Sequence, residues 1–120
     1  MKLALKKIGV FGLSAVMAVS MSTAAFAASV GHTLDVTQKL AESTFEYGRM
    51  GYTLGNRIDY TEVHETTGHV YSNFVIDVKT GSYTSVTVFK VADEGYNFTE
   101  AKSTATVNGA EYSVLTEKLP

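Results

Sequence analysis

Two alternating segments around one short polar turn, His69 to Val78 and Tyr83 to Val91, constrain this chain more than any other feature. In the first, Val70, Phe74, Ile76 and Val78 share one face with Ser72, while Tyr71, Asn73 and Asp77 take the other. A repeat of two belongs to a half-buried strand, because successive side chains point to opposite faces of a sheet. The alternation therefore assigns Phe74 to the core side. In the second segment Val86 and Val88 lie opposite Tyr83, Phe89 and Val91. Lys79-Thr80-Gly81-Ser82 reads as a turn, so the two segments predict a β-hairpin.

A second hairpin is expected near the C-terminus. Asn108-Gly109 is the dipeptide favoured where both residues of a two-residue turn need positive φ. Lys102–Val107 and Ala110–Glu117 flank it, and Asp93-Glu94-Gly95 separates the two hairpins. Upstream, Ser43–Tyr47, Tyr52–Leu54 and Arg57–His64 are weaker strand candidates, punctuated by Gly48, Gly51 and Gly55. Glu65-Thr66-Thr67-Gly68 closes that stretch as a turn. From Ala28 onward the chain holds 14 Thr, 11 Val and 7 Tyr, residue types that suit a pleated surface better than a helix. Turn signals recur at roughly 8–12 residues, which predicts an all-β fold, a small antiparallel β-sandwich of six or seven short strands.

The N-terminus follows another logic. Lys2, Lys6 and Lys7 precede an apolar stretch from Ile8 to Met21, and small residues follow to Ala25-Phe26-Ala27. This is the pattern of a secretory signal peptide cleaved after Ala27, with an apolar run of 14 residues, short for a membrane span. The expected organisation is a signal peptide over 1–27, an N-terminal arm or short helix over 28–43, and the sandwich over 44–120. Leu34, Val36 and Leu40 carry the loose helical spacing behind the second assignment. Cleavage removes three lysines and no acids, so the formal charge of −2 becomes −5 on a secreted chain of 93 residues. An acidic chain without a basic stripe predicts no nucleic-acid partner. No segment after Ala27 is apolar and long enough to cross a bilayer as a helix. The absence of cysteine excludes disulfides, thiol catalysis and cysteine-ligated zinc.

Few residues carry an overt chemical motif. His64 and His69 flank Glu65-Thr66-Thr67-Gly68, five positions apart where a helical zinc motif needs four. A hairpin could bring both rings together with Glu62 or Glu65, but exposed turn histidines are the expectation, with no metal and no cofactor. No serine sits in G-x-S-x-G or S-x-x-K, and Asp93-Glu94 and Asp59/Glu62 read as solvated charges. No enzyme is expected. The seven tyrosines are too many for a small core to bury every hydroxyl, so some rings should lie on a sheet face or rim. Such rings suit a binding surface, and ordinary cross-strand packing accounts for them as well.

Several short segments carry a family resemblance: Phe45-Glu46-Tyr47-Gly48, Tyr71-Ser72-Asn73-Phe74, Tyr83-Thr84-Ser85-Val86-Thr87-Val88, and Ala101–Val107 leading to Tyr112. In this order, over about 70 residues from Phe45, the chain resembles the lactococcin-972-like bacteriocins of Gram-positive bacteria. Phe45 stands where that family usually carries a tryptophan. The resemblance implies a small exported β-sandwich with antibacterial action on the cell envelope, lipid II and the septum being the target. It places a binding surface at Tyr47, Tyr71, Asn73 and Tyr83, with Phe74 beside them. The alternative is a secreted structural or interaction module of the cell surface, biofilm or spore coat, without toxicity.

Overall fold

The computed structural model describes residues 30–120; the expected signal peptide lies outside them. Seven strands follow in order: β1 (Gly31–Val36), β2 (Leu40–Glu46), β3 (Thr53–His64), β4 (Val70–Thr80), β5 (Ser85–Val91), β6 (Tyr96–Val107) and β7 (Ala110–Lys118). They form two antiparallel sheets, β1-β2-β5 and β4-β3-β6-β7, packed as an all-β sandwich. The β6–β7 hairpin forms at Asn108-Gly109, whose φ angles of 53° and 82° are those the turn requires.

The β4–β5 hairpin does not form. β4 pairs with β3 and β5 pairs with β2, so the chain leaves one sheet and enters the other between them. Residues 81–84 bond to the β2–β3 connection instead of closing a turn. Tyr47 N–H donates to the Thr84 carbonyl at 2.8 Å, and Gly51 N–H to that of Gly81 at 2.7 Å. Alternation marks a strand but not its partner. β3 claims β4 because it matches nearly its full length and joins it by the turn that His64 N–H closes on His69 O at 2.8 Å.

The face assignment of β4 is also reversed. Val70, Phe74, Ile76 and Val78 are 61, 44, 52 and 51 % exposed, while Val75 on the opposite face packs against the core. Phe74 is therefore not a core residue. In β5 the alternation holds, with Val86 and Val88 buried and Phe89 and Val91 outside.

Residues 31–43 are neither arm nor helix: they form β1 and the first half of β2, paired from Gly31↔Glu46 to Val36↔Ala41. His32, Leu34 and Val36 repeat every two residues, and that period prevails once β2 offers a partner. The Tyr52–Leu54 and Arg57–His64 candidates fuse into β3 except for Tyr52, which precedes it, with Gly55 inside the strand rather than breaking it. There a Cβ would collide with Thr106 Oγ1, so glycine serves close approach of β3 and β6.

Two apolar clusters fill the interior. Ala41, Ile58, Tyr60, Val88, Phe98 and Ala101 form one, and Phe45, Tyr47, Leu54, Val86 and Ala105 the other. Ser43, Asn56 and Ser103 fall between them along β2, β3 and β6, and all three are buried.

Candidate functional site

The polar layer is the first group of side chains with chemistry. Asn56 Nδ2 donates to Ser43 O at 3.1 Å and to Val86 O at 3.3 Å, while its Oδ1 accepts from Ser103 Oγ at 2.8 Å. The partly buried His32 joins it, with Nε2 2.8 Å from Ser103 Oγ and Nδ1 2.8 Å from Ser113 Oγ. Burial lowers the His32 pKa to about 4, so the ring is neutral at pH 7. A proton on Nε2, given to Ser103, and a Ser113 hydroxyl donated to Nδ1 satisfy the ring with no charge. This is a poor catalytic dyad. A base of such low pKa draws protons weakly, Ser103 is fully buried, and the ring nitrogens bond two serines rather than a carboxylate among the described residues.

His64 and His69 do meet, but around Tyr96. The His64 ring stands edge-on to Tyr96 with centroids 4.9 Å apart, and His69 Nδ1 lies 2.9 Å from the Tyr96 hydroxyl. His64 Nδ1 accepts the N–H groups of Thr66 and Thr67, each at 3.2 Å, so it fastens the β3–β4 turn. Among the described residues, no three of His, Asp or Glu converge in a geometry that would hold a metal ion. Nearby, Glu62 is fully buried beneath the β5–β6 loop, where its Oε1 accepts the Asp93 N–H at 2.9 Å. Its Oε2 meets no hydrogen-bond partner among the described residues.

The residues singled out by resemblance divide into two places. Tyr47 is buried, ringed by Phe45, Tyr52 and Tyr112 at centroid distances of 6.0, 5.1 and 5.4 Å. Tyr83 lies in the 81–84 crossing, beside the Thr84 carbonyl that accepts the Tyr47 N–H, but is half exposed, with Lys79 Nζ 5.2 Å from its ring. Tyr71 and Asn73 sit together towards the other end of β4, where Asn73 Nδ2 donates to the Tyr71 hydroxyl at 2.7 Å. One surface therefore does not hold all four.

The β4 edge has a construction that the sequence did not disclose. β4 is the outer strand of its sheet, with one side unpaired. Asn73 Oδ1 accepts the Phe74 N–H at 2.8 Å, and Asp77 Oδ1 accepts the Val78 N–H at 2.9 Å. Both amides are thus taken up by the preceding side chain, which blunts the edge against strand addition. The outer face beside this edge stays apolar. Arg57 lies 3.9 Å over the Phe74 ring, with its Nη2 held by Asp59 at 2.9 Å. A shallow groove of about 440 Å³ runs here, lined among others by Asp59, Ser72, Asn73, Phe74, Glu100 and Lys102. It offers one aromatic face, hydroxyl and amide groups, and charges of both signs.

The sequence singled out Tyr71 and Asn73 here, but missed the outward apolar row because alternation does not say which face turns in. It missed His32 because that residue was assigned to an arm. No protein-family model, curated protein or solved structure matches this chain.

Proposed function

We propose that the chain is an exported, non-enzymatic binding module of the cell envelope that works through the outer face and groove of β4. The observation that carries this reading is the solvent-facing row Val70, Phe74, Ile76 and Val78 on a strand two of whose edge amides are capped. Four large apolar side chains left in water forgo the free energy that their burial would contribute, and contiguous patches of this kind mark interaction sites. Export rests on the leader-like N-terminus.

A second, narrower reading is an antibacterial protein directed at lipid II or peptidoglycan. It is favoured by the position of Tyr71-Ser72-Asn73-Phe74, the segment that resembles the bacteriocin family, of which Ser72, Asn73 and Phe74 line the groove. Sedimentation of residues 28–120 with purified peptidoglycan and with lipid II vesicles tests the broad reading, and growth inhibition of Gram-positive strains tests the narrow one. Binding should weaken by roughly tenfold in Phe74→Ser/Ile76→Ser, the cost of removing an apolar anchor pair. Envelope binding without inhibition keeps the module and discards the toxin. Failure of the intact protein to bind either envelope material discards both.

A further inference from the structure

The outer faces of the two sheets differ in charge and agree in being apolar. On the three-stranded sheet, Leu40, Phe89 and Val91 are 38, 60 and 57 % exposed, and Leu40 pairs with Val91. The charged residues at outward strand positions of this sheet are Asp35, Glu42 and Glu46, with no lysine or arginine among them. Asp35 stands directly opposite Glu42 across the β1–β2 pair, and no cation among the described residues bridges them. Like charges facing one another across a ladder oppose the pairing that holds the sheet. The outer face of the four-stranded sheet is mixed instead: Arg57 and Lys102 stand in the rows of Ile76 and Phe74 with Asp59 between them, and Glu100 faces Lys118 in the next row.

We propose that the protein stacks on itself head to tail, the outer face of β4-β3-β6-β7 of one copy covering the outer face of β1-β2-β5 of the next. This rests on the reading of the chain as a module that works by its surfaces and names the partner as a second copy. Three arguments select this arrangement. Pairing the acidic face with itself doubles the repulsion already present at Asp35 and Glu42. Pairing the β4 face with itself leaves Leu40, Phe89 and Val91 in water and that repulsion unrelieved. The unlike contact covers both apolar patches and sets the all-acidic face against one where Arg57, Lys102 and Lys118 stand beside Asp59 and Glu100.

The two patches together offer on the order of 700 Å² of apolar surface, and their polar surroundings bring the contact to about the lower end of specific interfaces. Association is therefore weak and concentration-dependent. Every assembly keeps one free face of each kind at its two ends, so a contact that does not close as a ring grows as an open stack.

Sedimentation velocity of residues 28–120, from micromolar to near-millimolar concentration, tests this with Glu42→Lys and Ile76→Lys, both at exposed positions. The wild type should grow into a ladder of oligomers that shortens in high salt. Each variant alone should remain monomeric, because each retains one competent face. Their equimolar mixture should form a one-to-one complex and stop, since the competent faces complement each other once. A monomeric wild type overturns the proposal. So does Glu42→Lys that still dimerises alone, the signature of a two-fold β4 contact. The binding module reading is scored separately, because Glu42→Lys leaves the β4 face intact. If that variant is monomeric and still sediments with envelope material, both proposals stand. If the wild type binds the envelope but never oligomerises, only the stacking fails.

Discussion

His32 shows how one side chain sets the acid sensitivity of the sandwich. Its folded pKa of about 4 lies below the ordinary 6.5, with burial as the cause. Between these values the unfolded chain binds the proton more readily, so stability falls as pH drops from 6.5 towards 4 and is fully present above that window. The spread corresponds to roughly 3 kcal/mol at its acid limit. Urea midpoints taken at successive pH values should show that decline for the wild type and a flatter profile for His32→Gln. An unchanged profile would mean that folding does not lower the His32 pKa. Gly55 makes the second residue-level case. Gly55→Ala pushes a methyl group against Thr106 Oγ1 and should cost about 1–3 kcal/mol in chemical unfolding. Thr106→Ala in the same chain should recover most of it, because the obstructing atom is a side-chain hydroxyl. Neither residue was legible in advance. The collision at Gly55 exists only once β6 lies beside β3, and the burial of His32 exists only once β1 lies over β7.

At the scale of strands, local chemistry was legible and partnership was not. Asn108-Gly109 specifies a turn through its own φ angles, so the β6–β7 hairpin could be read from two residues. Tyr83–Val91 and His69–Val78 were legible as strands by their alternation, yet their pairing depends on β2 and β3, which lie far off in sequence. The outward row on β4 was illegible for a related reason: a period of two defines two faces without saying which one another sheet will cover. The groove residue Asn73 and its partner Tyr71 were visible as polar and aromatic groups opposite that row. The edge caps are where this strand can be tested. Replacing Asn73 and Asp77 together by alanine releases the Phe74 and Val78 amides. Light scattering and thioflavin fluorescence should then report faster aggregation, while the unfolding free energy changes by less than about 1 kcal/mol, since both side chains are at the surface. Equal aggregation of the two proteins would deny the caps a protective role.

At the scale of the molecule, the sandwich is a four-strand sheet faced by three strands, and β1 completes the smaller sheet at the β7 side. Reading residues 28–43 as an arm and reading 31–36 as a strand make different demands on the rest of the chain. An arm can be removed with little consequence. Removing β1 takes away the ladder from Gly31↔Glu46 to Val36↔Ala41, the packing of Leu34 and Val36 on the core, and the His32 bonds to Ser103 and Ser113. It also leaves the edge of β2 open and the Phe45 ring without its edge contact from His32, 5.8 Å between centroids. Half-burial of two aliphatic side chains and loss of two hydrogen bonds together amount to on the order of 3–5 kcal/mol. In a domain this small, that is a large share of the total stability, so the melting temperature should fall by about 10 °C or more. Far-UV circular dichroism of residues 40–120 against residues 28–120 makes the comparison. A truncated chain that melts within a degree or two of the longer one would show that β1 adds little to the sandwich. A large fall, with growing light scattering from the opened β2 edge, is the expected result.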